Sequence, residues 1–385
     1  MSEWLAAARA VGIETASRHA NEVDAGARFP VESFAALKAR KLLGIMVPTS
    51  EGGAGAGIAD VVSICHALGQ YCASTAMIYA MHQIQVSCVV RHGGASDWHR
   101  KFMKRLAAEQ LLLASATSEA GVGGDVRSSI CAVEESGGRF ALAKQATVIS
   151  YGANSDGILV TARRTPASPA SDQVIVVVPR DDSVLEQESE WDTLGMRGTC
   201  SNGYHLKASG EMAQVIPTPY ADVSAQTMLP TSHLVWSALW SGIATDAVAR
   251  ARAYVRAEAR RKGGTPAGAW RLAEAASLLQ LMKSNVVAAL RQYEAALGSE
   301  DRLSSLAFAV AMNNLKTGSS QMAVQVINHA LLICGLAGYR NDTPFSLGRH
   351  LRDAHSAALM VNNDRILANT GNLLMALRED PELLP

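Results

Sequence analysis

The residues with chemistry to offer are few and unevenly placed. Ser115-Ala-Thr-Ser-Glu-Ala-Gly-Val-Gly-Gly-Asp125 is a run of small residues that leaves successive backbone N–H groups uncovered. Such a run can cradle phosphate oxygens, and its bland reading is an ordinary glycine turn. Gly53-Ala-Gly-Ala-Gly57 follows an apolar run and suggests a dinucleotide-binding turn. That turn wants an acid about 20 residues on, and no Asp or Glu stands between Asp60 and Asp97, so it reads as a structural glycine loop. Arg252, Arg256 and Arg260 lie four apart on one helical stripe, able to grip an anion or simply to be solvated. His350 and His355, near Asp353, invite a metal, but a spacing of five does not align two side chains on a helix face. They read as structural. The chain carries no GxxxxGK[ST], GxSxG or HExxH motif.

Composition narrows the partners. Lysine plus arginine and aspartate plus glutamate number 35 each in 385 residues, so no general footprint for nucleic acid or an anionic membrane exists. Six cysteines without a CxxC pair read as dispersed core thiols of a reducing compartment. Val61–Val90, Val223–Thr245 and Thr317–Tyr339 lack charged residues. Each is broken by Gln, Ser, Thr, His or Asn, so they read as helices buried within the protein, not as membrane spans. The N-terminus lacks a basic segment leading into an apolar run, and Pro381–Pro385 carries no address. A cytoplasmic location is expected.

The elements that must position these residues fall into three blocks. Residues 1–110 read as helical, with Val31, Phe34 and Leu37 in period after Phe29-Pro30. Residues 111–222 change to period two, with runs at Ser128–Glu135, Phe140–Ser150, Gly157–Arg164, Gln173–Arg180 and Tyr204–Pro217. They predict an antiparallel sheet or small barrel. Residues 223–385 return to the helical period, with a break at Gly263-Gly-Thr-Pro266 and a long helix over Trp270–Leu297.

Several segments in this order resemble the acyl-CoA dehydrogenase superfamily. Phe29-Pro30 with Gly44–Gly57 is similar to its "FP…GLLG…VPEEYGGxG" pattern, and Ser115–Asp125 to its "TEPxAGSD" flavin loop. Thr147–Asp156 resembles "WITN…AD", Leu194–Ser201 resembles "LGxRxSxT", and Ala330–Tyr339 with Leu347–Met360 resembles "QxxGGxGY…ERxxRD". The resemblance implies a mainly α fold with a central β domain. An N-terminal helical domain, an antiparallel β-barrel-like domain and a C-terminal four-helix bundle are expected. It also implies a noncovalent flavin, usually FAD with FMN as the alternative, wedged between the sheet and the C-terminal helices. Ala116, Ser118, Gly123 and Gly124 fall at the flavin loop, and Val148, Ile149 and Ser150 on the strand beside the isoalloxazine. Asn363 is a further candidate cofactor contact, and Arg260 and Gly335 match groups a neighbouring subunit supplies. A homotetramer or dimer is implied.

The chain departs from the family at its base. Dehydrogenation of an acyl thioester needs a carboxylate to remove the α-proton while hydride leaves for flavin N5. The family's usual glutamate falls on Val361, and the glutamate of a second branch falls on Ser232, next to His233. The glutamine before the family's "GG" is Leu332, the RxxFG phenylalanine is missing, and the loop's usual serine is Gly124. Asp364, three residues after Val361, is a relocated base or a capping or surface acid, and Glu119 reads as structural. A divergent group of the superfamily lacks the glutamate, takes reduced flavin from a partner reductase and reacts it with oxygen. His82 and Ser150 fall where some of its members place a histidine and a serine, while a second histidine of that group falls on Met360. The bland reading of His82 is a satisfied core histidine. The expected function is therefore a flavin-dependent, acyl-CoA dehydrogenase-like oxidoreductase acting on an acyl thioester, with an electron-accepting flavoprotein or flavin reductase as partner. The alternatives are a two-component flavin-dependent monooxygenase and a catalytically silent flavin- or acyl-thioester-binding protein.

Overall fold

Residues 2–378 are described by the computed structural model, so the Pro381–Pro385 reading lies outside the described residues. Helices α1 (Glu3–Val11), α2 (Ser17–Ala25), α3 (Val31–Ala39), α4 (Ile58–Gly69), α5 (Ala73–His92) and α6 (Asp97–Glu109) build the first unit. Ser2 caps α1 by accepting from the Leu5 N–H, and α3 begins directly after Pro30. Helix α5 is buried on nearly every face, which explains why Val61–Val90 carries no charge: solvating it is not an option there. No helix among the described residues is long and apolar enough to cross a membrane.

The central region holds β1 (Leu113–Ala116), β2 (Glu134–Ser136), β3 (Arg139–Ala146), β4 (Gly157–Arg163), β5 (Gln173–Pro179), β6 (Ser183–Ser189) and β7 (Gly203–Glu211). They form two sheets, ordered β1-β4-β5 and β2-β3-β7-β6, and neither closes into a barrel. One pairing departs from the antiparallel expectation: β1 runs parallel to β4, with Ala116 opposite Val160. Strand β3 alternates exposed and buried residues, the pattern of a sheet with one solvated face. The expected strand over Phe140–Ser150 stops at Ala146, so Val148, Ile149 and Ser150 lie in the irregular segment after β3. Ser128–Glu135 is largely irregular as well, with only Glu134 and Glu135 in β2.

The last block comprises α7 (Tyr220–Val223), α8 (Leu229–Lys262), α9 (Arg271–Ala296), α10 (Glu300–Leu303), α11 (Leu306–Cys334), α12 (Leu336–Tyr339), α13 (Gly348–His355) and α14 (Asn363–Ala376). Helix α11 packs against α8, α9 and α14, giving a bundle of four long helices. Helix α8 also packs on α4, so close that a Cβ at Gly242 would stand 2.3 Å from the His66 carbonyl oxygen. Polar ties then lock the three blocks together. Asp353 in α13 accepts from the Met196 N–H at 2.7 Å, and Arg352 donates to Leu194 O at 2.9 Å and pairs with Asp24. His350 Nε2 lies 2.7 Å from Asp246 Oδ2, which Arg250 also pairs with. That contact accounts for His350 within the fold, and no group of three or more His, Cys, Asp or Glu able to hold a metal is found among the described residues.

Candidate functional site

The loop from Ala116 to Asp125 leaves the buried end of β1 and is fixed from below. Glu119 is buried, accepts from Ser129 Oγ (2.7 Å), Cys131 N (2.7 Å) and Ile130 N (3.1 Å), and pairs with buried Lys144 at 3.3 Å. Burial alone would raise its pKa, but the Lys144 charge and these donors hold it below the usual carboxylate range. Ser118 Oγ donates to Val148 O at 2.9 Å and accepts from Val148 N at 3.2 Å, joining the loop to the segment after β3. Glu119 is thus the anchor of the loop, with no capacity left for a reacting group.

Above this anchor the loop is open. The N–H groups of Gly121, Val122, Gly123 and Gly124 donate to no acceptor among the described residues. Gly121, Gly123 and Gly124 hold φ of 88°, 60° and 77°. Successive free N–H groups in such a turn form a concave site for anionic oxygens. Nothing stands within 4 Å of a Cβ built on Gly123, so room for a ligand exists there. Gly124 is closed on its other side: a Cβ would sit 2.6 Å from Arg365 Nη1. Arg365, in the first turn of α14, donates to Gly123 O and so closes the loop from the bundle side. The sequence reading did not single out Arg365.

Beside the loop, Val148 is exposed, Ile149 is buried and Ser150 is half-buried. Thr199 Oγ1 donates to Met196 O at 2.9 Å and must therefore accept from Ser201 Oγ, also at 2.9 Å. Ser201 in turn accepts from Ser150 Oγ at 2.8 Å. The chain of hydroxyls commits the Ser150 proton and leaves its lone pairs available to a ligand N–H.

The other expected residues are placed as follows. His82 is fully buried, its Nε2–H donating to Leu43 O and its Nδ1 accepting from Leu113 N, both at 2.9 Å. Burial pushes its pKa down to about 4, and both ring nitrogens are occupied by backbone. His82 therefore has no nitrogen free for substrate or flavin and holds β1 to the first helical block. Asp364 is exposed, and its backbone N–H bonds to Asn362 Oδ1 at the start of α14. Asn363 is buried and turned into the bundle, accepting from Lys316 Nζ at 2.7 Å and donating to Ser320 Oγ at 2.9 Å. Val361 is half exposed with φ 45° and offers no acceptor side chain, and Ser232 donates to Leu229 O at 2.7 Å.

Arg252, Arg256 and Arg260 are exposed on α8, and none has an ion-pair partner among the described residues. Arg252, with Lys283 and Arg291, lines an open groove of about 550 Å³ between α8 and α9. Gly335 is exposed with φ 54° between α11 and α12, flanked by exposed Leu332, Leu336 and Tyr339. Neither Arg260 nor Gly335 is bonded to the loop at Gly121–Gly124 within one chain. Asp353, which the sequence reading used only as a neighbour of two histidines, is buried and pushed up to about 6 by burial. Its contact with the Met196 N–H marks it as a tie between blocks.

Comparison with known proteins matches this arrangement along the whole chain. Residues 2–110 match the model of the acyl-CoA dehydrogenase N-terminal domain, and residues 223–369 that of the C-terminal domain. The probable acyl-CoA dehydrogenase FadE25 of Mycobacterium tuberculosis is 26% identical over 369 residues, covering 94% of this chain and 92% of its own. Amino sugar nitrososynthase DnmZ of Streptomyces peucetius is 26% identical over 353 residues, covering 88% of this chain and 84% of its own. Among solved structures, FMN-bound TdsC of Paenibacillus sp. A11-2 superposes with a TM-score of 0.85 at 18% identity, over 100% of both chains. TdsC is a dibenzothiophene monooxygenase.

Proposed function

The chain belongs to the acyl-CoA dehydrogenase family of flavin-dependent oxidoreductases, and from that premise we propose that it runs the oxygen-dependent branch of its chemistry, as a two-component flavin monooxygenase. What supports this reading is Val361, an apolar side chain where the family resemblance places the glutamate that thioester oxidation needs. Of the acids weighed for that role, two are committed elsewhere and one is exposed. Glu119 is locked to Lys144, Asp353 holds the Met196 N–H, and Asp364 is exposed at the start of α14.

The residues present fit a flavin. Free N–H groups at Gly121–Gly124 suit its phosphate, and Ser150, with lone pairs to offer, suits a ring N–H. A bound flavin supplies a two-electron donor and acceptor. The protein then binds the phosphate, orients the ring with Val148 and Ser150, and keeps the 361 side apolar. The similarity to TdsC and DnmZ is in keeping with this branch, and FMN or FAD suits the loop equally. Exposed Leu332, Leu336 and Tyr339 beside Gly335 support a second copy of the chain against that face, with Arg260 and Gly335 contributing across it. Reduced flavin would come from a separate reductase.

A second reading, thioester dehydrogenation, is favoured by the 26% identity to FadE25 and would need Asp364 as its base. Mixing the chemically reduced, flavin-loaded protein with oxygen separates the two. The proposed reading predicts oxygen consumption with a spectral phase that free reduced flavin does not give. A single return of the oxidised flavin spectrum, as in free solution, counts against it.

A further inference from the structure

Lys316 is fully buried at the centre of α11 and has no carboxylate partner among the described residues. Its ammonium donates to Val361 O at 2.8 Å and to Asn363 Oδ1 at 2.7 Å, and lies 5.9 Å from the centre of the Trp240 ring. The titratable group it influences on α8 is His233, which burial first, and then the Lys316 charge, push down to about 3, so it stays neutral. Burying an ammonium without a counter-charge is costly, and the hydrogen bonds to Val361 O and Asn363 Oδ1 offset part of that cost. Burial pushes Lys316 itself down to about 7, which reports the same cost.

What the charge holds is specific. Both acceptors belong to one short turn, in which Val361 keeps φ 45°, a conformation that a β-branched residue avoids. The next residue of that turn, Asn362, caps α14 by accepting from Asp364 N at 2.8 Å and Arg365 N at 3.4 Å. Arg365 then reaches Gly123 O. A continuous set of contacts thus runs from the interior of α11 through a strained turn and a helix cap to the loop with four free N–H groups.

We propose that Lys316 is a positioning residue for the cofactor: it clamps the Val361–Asn363 turn so that Arg365 holds the Gly121–Gly124 loop in its phosphate-binding shape. This rests on the flavin reading above and adds to it a residue remote from the loop.

The test is titration of the full-length apoprotein with FMN and with FAD, followed by flavin fluorescence, alongside the melting temperature of the apoprotein. Lys316→Met removes the cost of a buried ammonium but leaves two acceptors without their donor, so its melting temperature is expected to move little, while it binds flavin about tenfold more weakly or worse, about 1.4 kcal/mol. Lys316→Arg, which keeps the charge, recovers part of the affinity. Combining Lys316→Met with Arg365→Ala weakens binding no further than the stronger single change, because both act on one path. Unchanged affinity in Lys316→Met, additive effects in the double variant, or a parallel loss of affinity and apoprotein stability would each overturn the proposal. Should Lys316→Met fail to fold, Lys316→Gln is read by the same criteria. A wild-type chain that binds neither flavin overturns the flavin reading itself, and this proposal with it.

Discussion

Arg365 donates through Nη2 to the carbonyl oxygen of Gly123, joining residues 242 apart in sequence. This contact makes the candidate site a product of two blocks. The central sheets carry the loop, and the last helix of the bundle sets its shape. Neither block alone contains the site.

Gly124 stands where these blocks meet. Replacing it with alanine adds a Cβ 2.6 Å from Arg365 Nη1, at φ 77°. The positive φ alone costs about 1–2 kcal/mol. Gly124→Ala should weaken flavin binding by about tenfold or more and leave the helical core intact, with circular dichroism unchanged. Equal affinity in a fluorescence titration would show that the loop does not need this geometry.

Glu119 is expected to matter for the fold and not for chemistry. Glu119→Gln removes one partner of a buried ion pair and leaves Lys144 uncompensated, a loss of about 3–5 kcal/mol by chemical denaturation. Because the folded carboxylate lies below its unfolded value, the contribution is present above the ordinary carboxylate range and disappears as pH falls through the folded value. The variant should therefore lack the part of the acid-induced loss that wild type shows there. Wild-type stability in Glu119→Gln would contradict the anchoring role.

Four histidines in or near the interior bear on the stability at mildly acidic pH. His66, His82, His92 and His99 are each pushed down to about 4, chiefly by burial, from the ordinary value of about 6.5. Between those values the unfolded chain takes protons that the fold refuses, so stability drops as pH falls through that window. Each histidine contributes at most about 1.4 kcal/mol per pH unit there. Urea denaturation at several pH values should show a multi-proton decline, and a flat profile over the window would contradict the neutral, buried assignment of His82.

Asp364→Asn tests the rejected base. Asp364 is exposed, and its backbone N–H, not its carboxylate, is what the Asn362 cap engages. Turnover and flavin affinity are expected to stay within about twofold of wild type, a difference under 0.5 kcal/mol. A loss of turnover with flavin still bound would restore Asp364 as a catalytic group and favour thioester oxidation.

How much of this was legible beforehand follows from the physics of each element. Strands β4 and β5 are continuous apolar runs between turn residues, and the breaks at Gly263 and near Trp270 are strong local signals, so both were readable. Strand β6 was not: Ser183–Ser189 is a mostly exposed edge whose polar side chains carry no core-facing alternation. Strand β1, four residues long and parallel to β4, is fixed by a partner more than 40 residues away that no local period encodes. At the site, the glycine loop could be read because positive φ has a residue signature. His82 could not be assigned, because its nitrogens are used by the backbones of Leu43 and Leu113, distant in sequence. Lys316 stands one residue before the uncharged run Thr317–Tyr339, and only the packing reveals that its charge is inside.

The most direct test of the account is the visible spectrum of the purified, flavin-loaded protein, recorded anaerobically before and after addition of a panel of acyl-CoAs. With Val361 and Ser232 where the family resemblance places a base, the main flavin band is predicted to persist through the whole panel. Bleaching by any one acyl-CoA would contradict the central claim and establish this chain as a thioester dehydrogenase.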